Sequence, residues 1–347
     1  MFVSIPAIGH LNPTFALAEE MVQRGWQPFI MSFDVLEPHF KRAQLPANVS
    51  FVPLPCGVYW NKVRDEQAAF LTQSPDFIDT VMFGLRQVVE DPSFDCFYEH
   101  GFKMLQAHEP DLMVVDSSTF VGFDMADKLG IPYVINNPAL LNLHDMPYCM
   151  PEASYLPGVL SGQSIHDLPS TGASALLRRA GHPLLQLASR IFVYFAVHRP
   201  INAKRIRHGF AAKSFQICPG DRLILVEQVF GVEYARPVHP LMHLVGYLER
   251  KEESELRLES HEAEWLSEVP VVYVSFGTVF NLTPDQANVL LAGLNSTQFR
   301  ALWSLKSGRD SLESVPGNVQ ITHWVSSQLG VLAHPNAPRS TACFDMF

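Results

Sequence analysis

The sequence predicts a doubly wound α/β fold built in two units. Apolar, strand-like runs alternate with helix-like stretches from residue 2 onward, and the alternation restarts after residue 270. Strands separated by helices pair in parallel, because each crossover helix carries the chain back to the end of the sheet where it began. A third observation separates the units. From Glu249 the composition turns highly charged (Glu-Arg-Lys-Glu-Glu-Ser-Glu-Leu-Arg), which predicts a boundary between a unit 1–248 and a unit 249–347.

Each element has its own signal. Phe2-Val3-Ser4-Ile5 is aromatic and β-branched, and Pro6 to Gly9 turns the chain. Asn12 is a candidate helix cap, Pro13 suits a first helical position, where its missing N–H costs nothing, and Gly25 ends the helix. Trp26 to Phe33 reads as the next strand. Leu112 to Val115 is a buried-type strand ending in Asp116; a helix follows to Leu129, stopped by Gly130 with Pro132 beyond, and Ile131 to Ile135 gives another strand. Residues 140–220 are punctuated by Pro, Gly and Ser, with helical apolar spacing over 176–197, so an elaborated helical region packed on the sheet is expected. In the second unit Val271 to Phe276 is a strand, Gly277-Thr278 a turn, and Thr283-Pro284 opens a helix to about Ser296. Ala301 to Leu305 and Val319 to Trp324 supply two more strands. Sheets of this type usually hold about five or six, so the second unit is expected to be incomplete.

Composition excludes several classes. At 347 residues, 47% hydrophobic and 17% charged, the chain is globular rather than disordered. A net charge of −10 argues against a nucleic-acid partner, and the basic run Arg199 to Lys213 reads as a solvated helix face. The five cysteines are far apart and form no CxxC pair, which predicts neither a zinc knuckle nor a disulfide framework and favours a reduced, cytoplasmic setting. No stretch of about 18 uncharged apolar residues predicts a transmembrane segment. Leu184 to Val197, broken by Arg190, reads as a buried or interfacial helix, with peripheral membrane contact left open. The GxGxxG and GxxxxGK[ST] patterns are absent, which weighs against an NAD-dependent oxidoreductase or a P-loop enzyme. No ligand set such as HExxH predicts a protein-bound metal.

Three constellations could carry chemistry. His10 lies between a strand and a helix, at the carboxyl end of the expected sheet, where ligands of such folds bind. The positive helix end is expected to keep its ring neutral, as a general base requires; a turn histidine that caps its neighbours is the alternative. Asp116 ends a second strand and could orient that histidine, or could simply cap the next helix. Asp111, Asp124 and Asp127 read as surface acids. Ser275-Phe276-Gly277-Thr278 places a glycine between hydroxyls after a buried strand, which suits backbone N–H groups approaching phosphate oxygens. The apolar segments Phe77 to Phe102 and Pro138 to Leu160 fit an acceptor pocket or a core equally well.

In order along the chain, Gly9-His10-x-x-Pro13, Glu264-Trp265-Leu266, Val271 through Thr278, Ala292-Gly293-Leu294 and Ala301-Leu302-Trp303 resemble the UDP-glycosyltransferases with the GT-B fold of two Rossmann-like domains. Trp324, Gln328, Val331-Leu332 and His334-Pro335 are similar to the first third of that family's donor signature. The resemblance implies an N-terminal acceptor domain over 1–248 and a partial nucleotide-sugar domain over 249–347. It implies His10 as the base on an acceptor hydroxyl, Asp116 as its partner, and Ser275, Gly277 and Thr278 along the diphosphate. Trp324, with Gln328, would hold the uracil ring. The implied reaction transfers a hexose with inversion from a UDP-sugar co-substrate to a small lipophilic acceptor, with no metal and no further cofactor.

Two departures accompany the resemblance. Trp324 to Gln328 is one residue longer than the family's W-x-x-Q spacing. After Asn336 the family continues with a phosphate-gripping cluster and sugar-reading residues, whereas this chain reads Ala337 to Phe347 and stops. A truncated chain with weakened activity is therefore expected. The alternative from another class is a catalytically inactive acceptor-binding protein of transferase ancestry.

Overall fold

The computed structural model describes all residues except 72–78, 80–81, 84–85, 88–89, 140–190, 193, 214–221, 231–237, 249, 251–257, 268, 277–281, 296–297, 306–307, 313 and 338–347. Two compact units share the chain: residues 1–60 with 83–248, and 61–82 with 249–347.

The first unit is a seven-stranded sheet in the order β3-β2-β1-β4-β5-β6-β7. Its strands are β1 (Phe2–Val3), β2 (Phe29–Phe33), β3 (Ser50–Leu54), β4 (Met113–Asp116), β5 (Tyr133–Asn137), β6 (Ile224–Val226) and β7 (Met242–Leu244), every pair parallel. Alternation along the strands divides the core. Phe2, Ile30 and Val114 pack with Leu11 and Phe15 of helix α1 (Ile8–Gln23). Their neighbours Val3, Met31 and Val115 pack in a second cluster, with residues of α4 (Pro92–His108) and α5 (Phe120–Leu129). A strand buried on both faces must be apolar at every position, so these strands read as continuous runs. The remaining helices of this part of the chain are α2 (Glu37–Arg42), α3 (Gly57–Leu71) and α6 (Arg199–Arg207), the last preceded by a π-helical turn at Tyr194–His198.

Close packing of α5 on the sheet depends on Gly122. A Cβ there would sit 2.5 Å from Val115 Cγ1 and 3.3 Å from Val3 Cγ1. Gly122→Ala is expected to destabilise the first unit by about 1–3 kcal/mol, as overpacking does. A urea-unfolding midpoint equal to wild type would contradict it.

Several expectations change. Helix α1 starts at Ile8, with Ala7 at the cap, rather than at Pro13 behind an Asn12 cap, and Pro13 lies inside it. At this sixth helical position the proline forfeits the bond to the Gly9 carbonyl, which its ring also crowds. Asn12 is no cap: its Oδ1 lies 2.8 Å from His39 Nε2. Cys56 and Cys96 form a disulfide, with Cα atoms 5.9 Å apart across 40 residues of sequence. The turn after β3 meets α4 there, a proximity no sequence spacing reveals, and the cysteine argument for a reduced setting lapses. Of the segment Leu184 to Val197, residues 184–190 and 193 lie outside the described residues; Ile191, Phe192, Tyr194 and Phe195 are exposed and Val197 is buried. Phe97 and Tyr98, considered for an acceptor pocket, are core residues, and 140–160 lie outside the described residues. None of the described helices is long and apolar enough to cross a membrane.

The basic run Arg199 to Lys213 is a solvated face only in part: Arg199 and Arg207 are exposed, but Lys204 and Arg205 are buried. Arg205 Nε donates to Asp124 Oδ2 at 2.7 Å, Tyr98 Oη donates to the same oxygen at 2.6 Å, and Lys213 Nζ lies 2.9 Å from Asp124 Oδ1. Burial, with the Asp124 charge, pushes the Tyr98 phenol well above its usual range. Lys204 Nζ donates to the Asp91 carbonyl at 2.6 Å and to Asp95 Oδ2 at 3.1 Å. Asp124 is thus a buried anchor, not a surface acid, because α6 delivers Arg205 to it from 81 residues away.

Among its described residues the second unit holds a parallel sheet in the order β10-β9-β8: β8 (Val271–Ser275), β9 (Arg300–Ser304) and β10 (Val319–Thr322). Helices α7 (Ser260–Ser267), α8 (Pro284–Leu294) and α9 (Gln328–Ala333) accompany it. Thr283 and Gln286 close a capping box on α8, satisfying two otherwise unpaired N–H groups reciprocally. Trp303, fully buried on β9, anchors one core with Leu291 and Ile321, while Tyr273 and Leu302 on the opposite face pack with Leu266 and Val331.

Candidate active site

The strand order of the first sheet makes the site. From β1 the chain runs outward through β2 and β3, then returns to β4 on the other side. The loops leaving β1 and β4 therefore diverge and open a crevice at their carboxyl ends. His10, the third residue of α1, follows β1, and Asp116 closes β4. Their side chains meet: His10 Nδ1 donates to Asp116 Oδ1 at 2.7 Å. A carboxylate can only accept, so the proton of the neutral ring is held at Nδ1 and Nε2 keeps its lone pair.

Asp116 is fully buried and does not cap α5. Its Oδ2 accepts from Thr119 Oγ1 at 2.8 Å, so both carboxylate oxygens are engaged and the group has one orientation. Beside it in the β4–β5 register stands Asn136, whose carbonyl accepts from Ser117 N at 2.8 Å. Asn136 Nδ2 in turn donates to Glu227 Oε1 at 2.7 Å. Sequence reading misses both: the apolar run of β5 fades at Ile135, and Glu227 follows a strand of three residues.

Charge balance at His10 differs from the expectation of a ring kept neutral by the helix end. Burial lowers its pKa; the Asp116 charge and hydrogen bond, joined by the Glu227 charge, raise it, and the net result lies above the usual 6.5. The two carboxylates together outweigh the cost of burying the charged ring. Burial pushes the Glu227 carboxyl up to about 7, with Asn136 and His10 opposing and Asp116 reinforcing the rise.

In the second unit, Ser275 ends β8, while Trp324 and Gln328 follow β10, so all three belong to the carboxyl edge of one parallel sheet. Gly277 and Thr278 lie outside the described residues. Trp324 is 45% exposed, and its carbonyl accepts from Thr322 Oγ1 at 2.8 Å. Buried Glu262 on α7 fixes the loop by accepting from Ser326 N at 2.9 Å and from the Ser326 hydroxyl. Ser327 caps α9, accepting from Gly330 N at 2.9 Å. Among the described residues no group of three or more His, Cys, Asp or Glu side chains is placed to hold a metal.

The family model for UDP-glucoronosyl and UDP-glucosyl transferases matches residues 99–339. The chain belongs to this family. A putative UDP-glucose glucosyltransferase of Fragaria ananassa is 31% identical over 135 residues, covering 35% of this chain and 27% of that protein. The gallate 1-beta-glucosyltransferase of Quercus robur is 25% identical over 369 residues, covering 99% of this chain and 68% of the relative. Among solved structures, the glycosyltransferase of kitacinnamycin aligns with a TM-score of 0.58 at 17% identity, over 96% of this chain and 72% of its own. This family member therefore spans between about a quarter and 70% of the lengths of the curated proteins it matches. Its two parallel sheets are those of the GT-B glycosyltransferase fold.

Proposed function

We propose that this UDP-glycosyltransferase moves a hexose from a UDP-sugar to a hydroxyl of a small lipophilic acceptor. The His10–Asp116 hydrogen bond at the switch point of the first sheet carries the reading. In this scheme Nε2 of His10 removes the acceptor proton as its oxygen attacks the anomeric carbon. Asp116 holds the ring and stabilises the imidazolium that forms, the part a buried carboxylate plays in other base pairs. Attack opposite the departing UDP inverts the anomeric centre. The acceptor side is assigned to 1–248 and the donor side to 249–347. Ser275, Gly277 and Thr278 are assigned to the diphosphate, whose charge backbone N–H groups are suited to offset. Trp324 stacks on uracil, with Gln328 beside it.

Calorimetric titration with UDP tests the donor half. Saturable binding is expected, and Trp324→Ala should weaken it roughly tenfold to a hundredfold, as loss of a base-stacking aromatic does. No heat up to millimolar UDP, in a sample shown to be folded, would refute the donor assignment.

A further inference from the structure

Glu227 is one of the buried ionisable groups that the mechanism above leaves unused. It is 5% exposed and follows β6, two residues beyond the Leu225 that pairs with Asn136 on β5, which in turn pairs with Asp116 on β4. Its own N–H donates to the Asn137 carbonyl at 3.0 Å, which fixes the backbone beside β5. Three adjacent strands thus bring Asp, Asn and Glu to one end of the sheet, and the Asn136 side chain bridges the offset to Glu227.

We propose that Glu227 is a third member of the base site, a positioning residue whose carboxylate, held by Asn136, tunes His10. This rests on the reading of His10 as the base. A buried carboxyl beside which the described residues set no Lys or Arg costs stability unless something requires it. The groups that act on Glu227 are Asp116 from β4, Asn136 from β5 and His10 from α1. On the other flank β7 runs into Leu244, Val245 and Gly246, which carry no charge, and His243 is exposed.

Asparagine suits the link because it serves both protonation states. As found, its Nδ2 donates to the carboxylate, while its buried Oδ1 has no hydrogen-bond partner among the described residues. Turned over, the same amide accepts from the acid form. Glu227 can therefore gain or lose its proton without stranding the pair, and its charge favours the imidazolium that proton removal creates on His10.

The test is an NMR pH titration of the His10 ring in the wild type, Glu227→Gln and Asp116→Asn, beside the pH profile of kcat/KM for transfer. Glutamine keeps the size and an acceptor for Asn136 but not the charge. Both substitutions should lower the His10 midpoint, Glu227→Gln by at least roughly 0.3 pH units. The acid limb of the rate profile should move down with it. A midpoint that falls in Asp116→Asn and stays put in Glu227→Gln overturns the proposal and leaves the dyad intact. A midpoint that neither substitution moves overturns the dyad itself. Should Glu227→Gln not fold, carbon-detected titration of the wild-type glutamates decides: one carboxyl midpoint near neutrality is expected, and all of them below about 5 would overturn it.

Discussion

Replacing His10 by alanine lowers sugar transfer by on the order of 10²–10⁴-fold and leaves UDP affinity within error of wild type. The size follows from removing a positioned base. The split follows from where it sits: His10 belongs to the first unit's sheet edge, while Ser275, Trp324 and Gln328 belong to the second unit. Asp116→Asn should cost nearly as much. Its carboxylate takes hydrogen bonds from both His10 Nδ1 and Thr119 Oγ1, and an amide cannot accept both through two oxygens. The pH dependence has a definite sign. Catalysis needs the neutral ring, and the pKa of His10 is raised, so the rate climbs with pH and levels off only above the usual histidine range. Steady-state rates from pH 5 to 9 check this. A His10→Ala enzyme that turns over at the wild-type rate would remove the base role.

The largest stability effect is expected at Asp124. Asp124→Ala should cost the first unit about 3–5 kcal/mol, the range for breaking one partner of a buried ion pair. The carboxylate side chain is fully buried, and Arg205, itself 6% exposed, would keep its charge with no anion. Tyr98 would lose its acceptor as well, while Lys213 would be left with Asp127. The cause can be separated from lost packing. A double substitution, Asp124→Leu with Arg205→Leu, removes both charges and should recover part of the loss, because apolar replacements of buried pairs are often near neutral. Urea unfolding of the three proteins measures it. A shift below about 1 kcal/mol in the single variant would show that solvent already screens the pair.

Elements were legible in the sequence where local signals agreed. β2, β4, β5, β8, β9 and β10 are apolar runs bounded by Gly, Pro or charged residues, and each forms within a few residues of its expected ends. Helix α5 stops where Gly130 takes a left-handed conformation with φ of 69°. β3 is not legible, because Pro53 argues against a strand; as the edge of the sheet it tolerates a residue that cannot donate. β6 and β7, three residues each, are too short for a periodic signal. Pro13 misplaced the start of α1 by five residues, since a first-position preference is statistical and the Ala7 carbonyl already accepts from His10 N and Leu11 N.

The fold class, the family, and His10 and Asp116 as candidates were determined by the sequence alone. Each rests on residues close in sequence: an apolar run, a turn, a motif of a few positions. Only the tertiary structure decided what those residues meet. The His10–Asp116 bond joins positions 106 apart, Asn136–Glu227 spans 91, and Arg205–Asp124 spans 81. Burial and charge neighbours follow from the order in which strands assemble, and that order reverses the predicted surface roles of Asp124 and Arg205 and raises the proton affinity of His10. Electrostatics acts through space, and parallel strand pairing places residues far apart in the chain on one sheet edge.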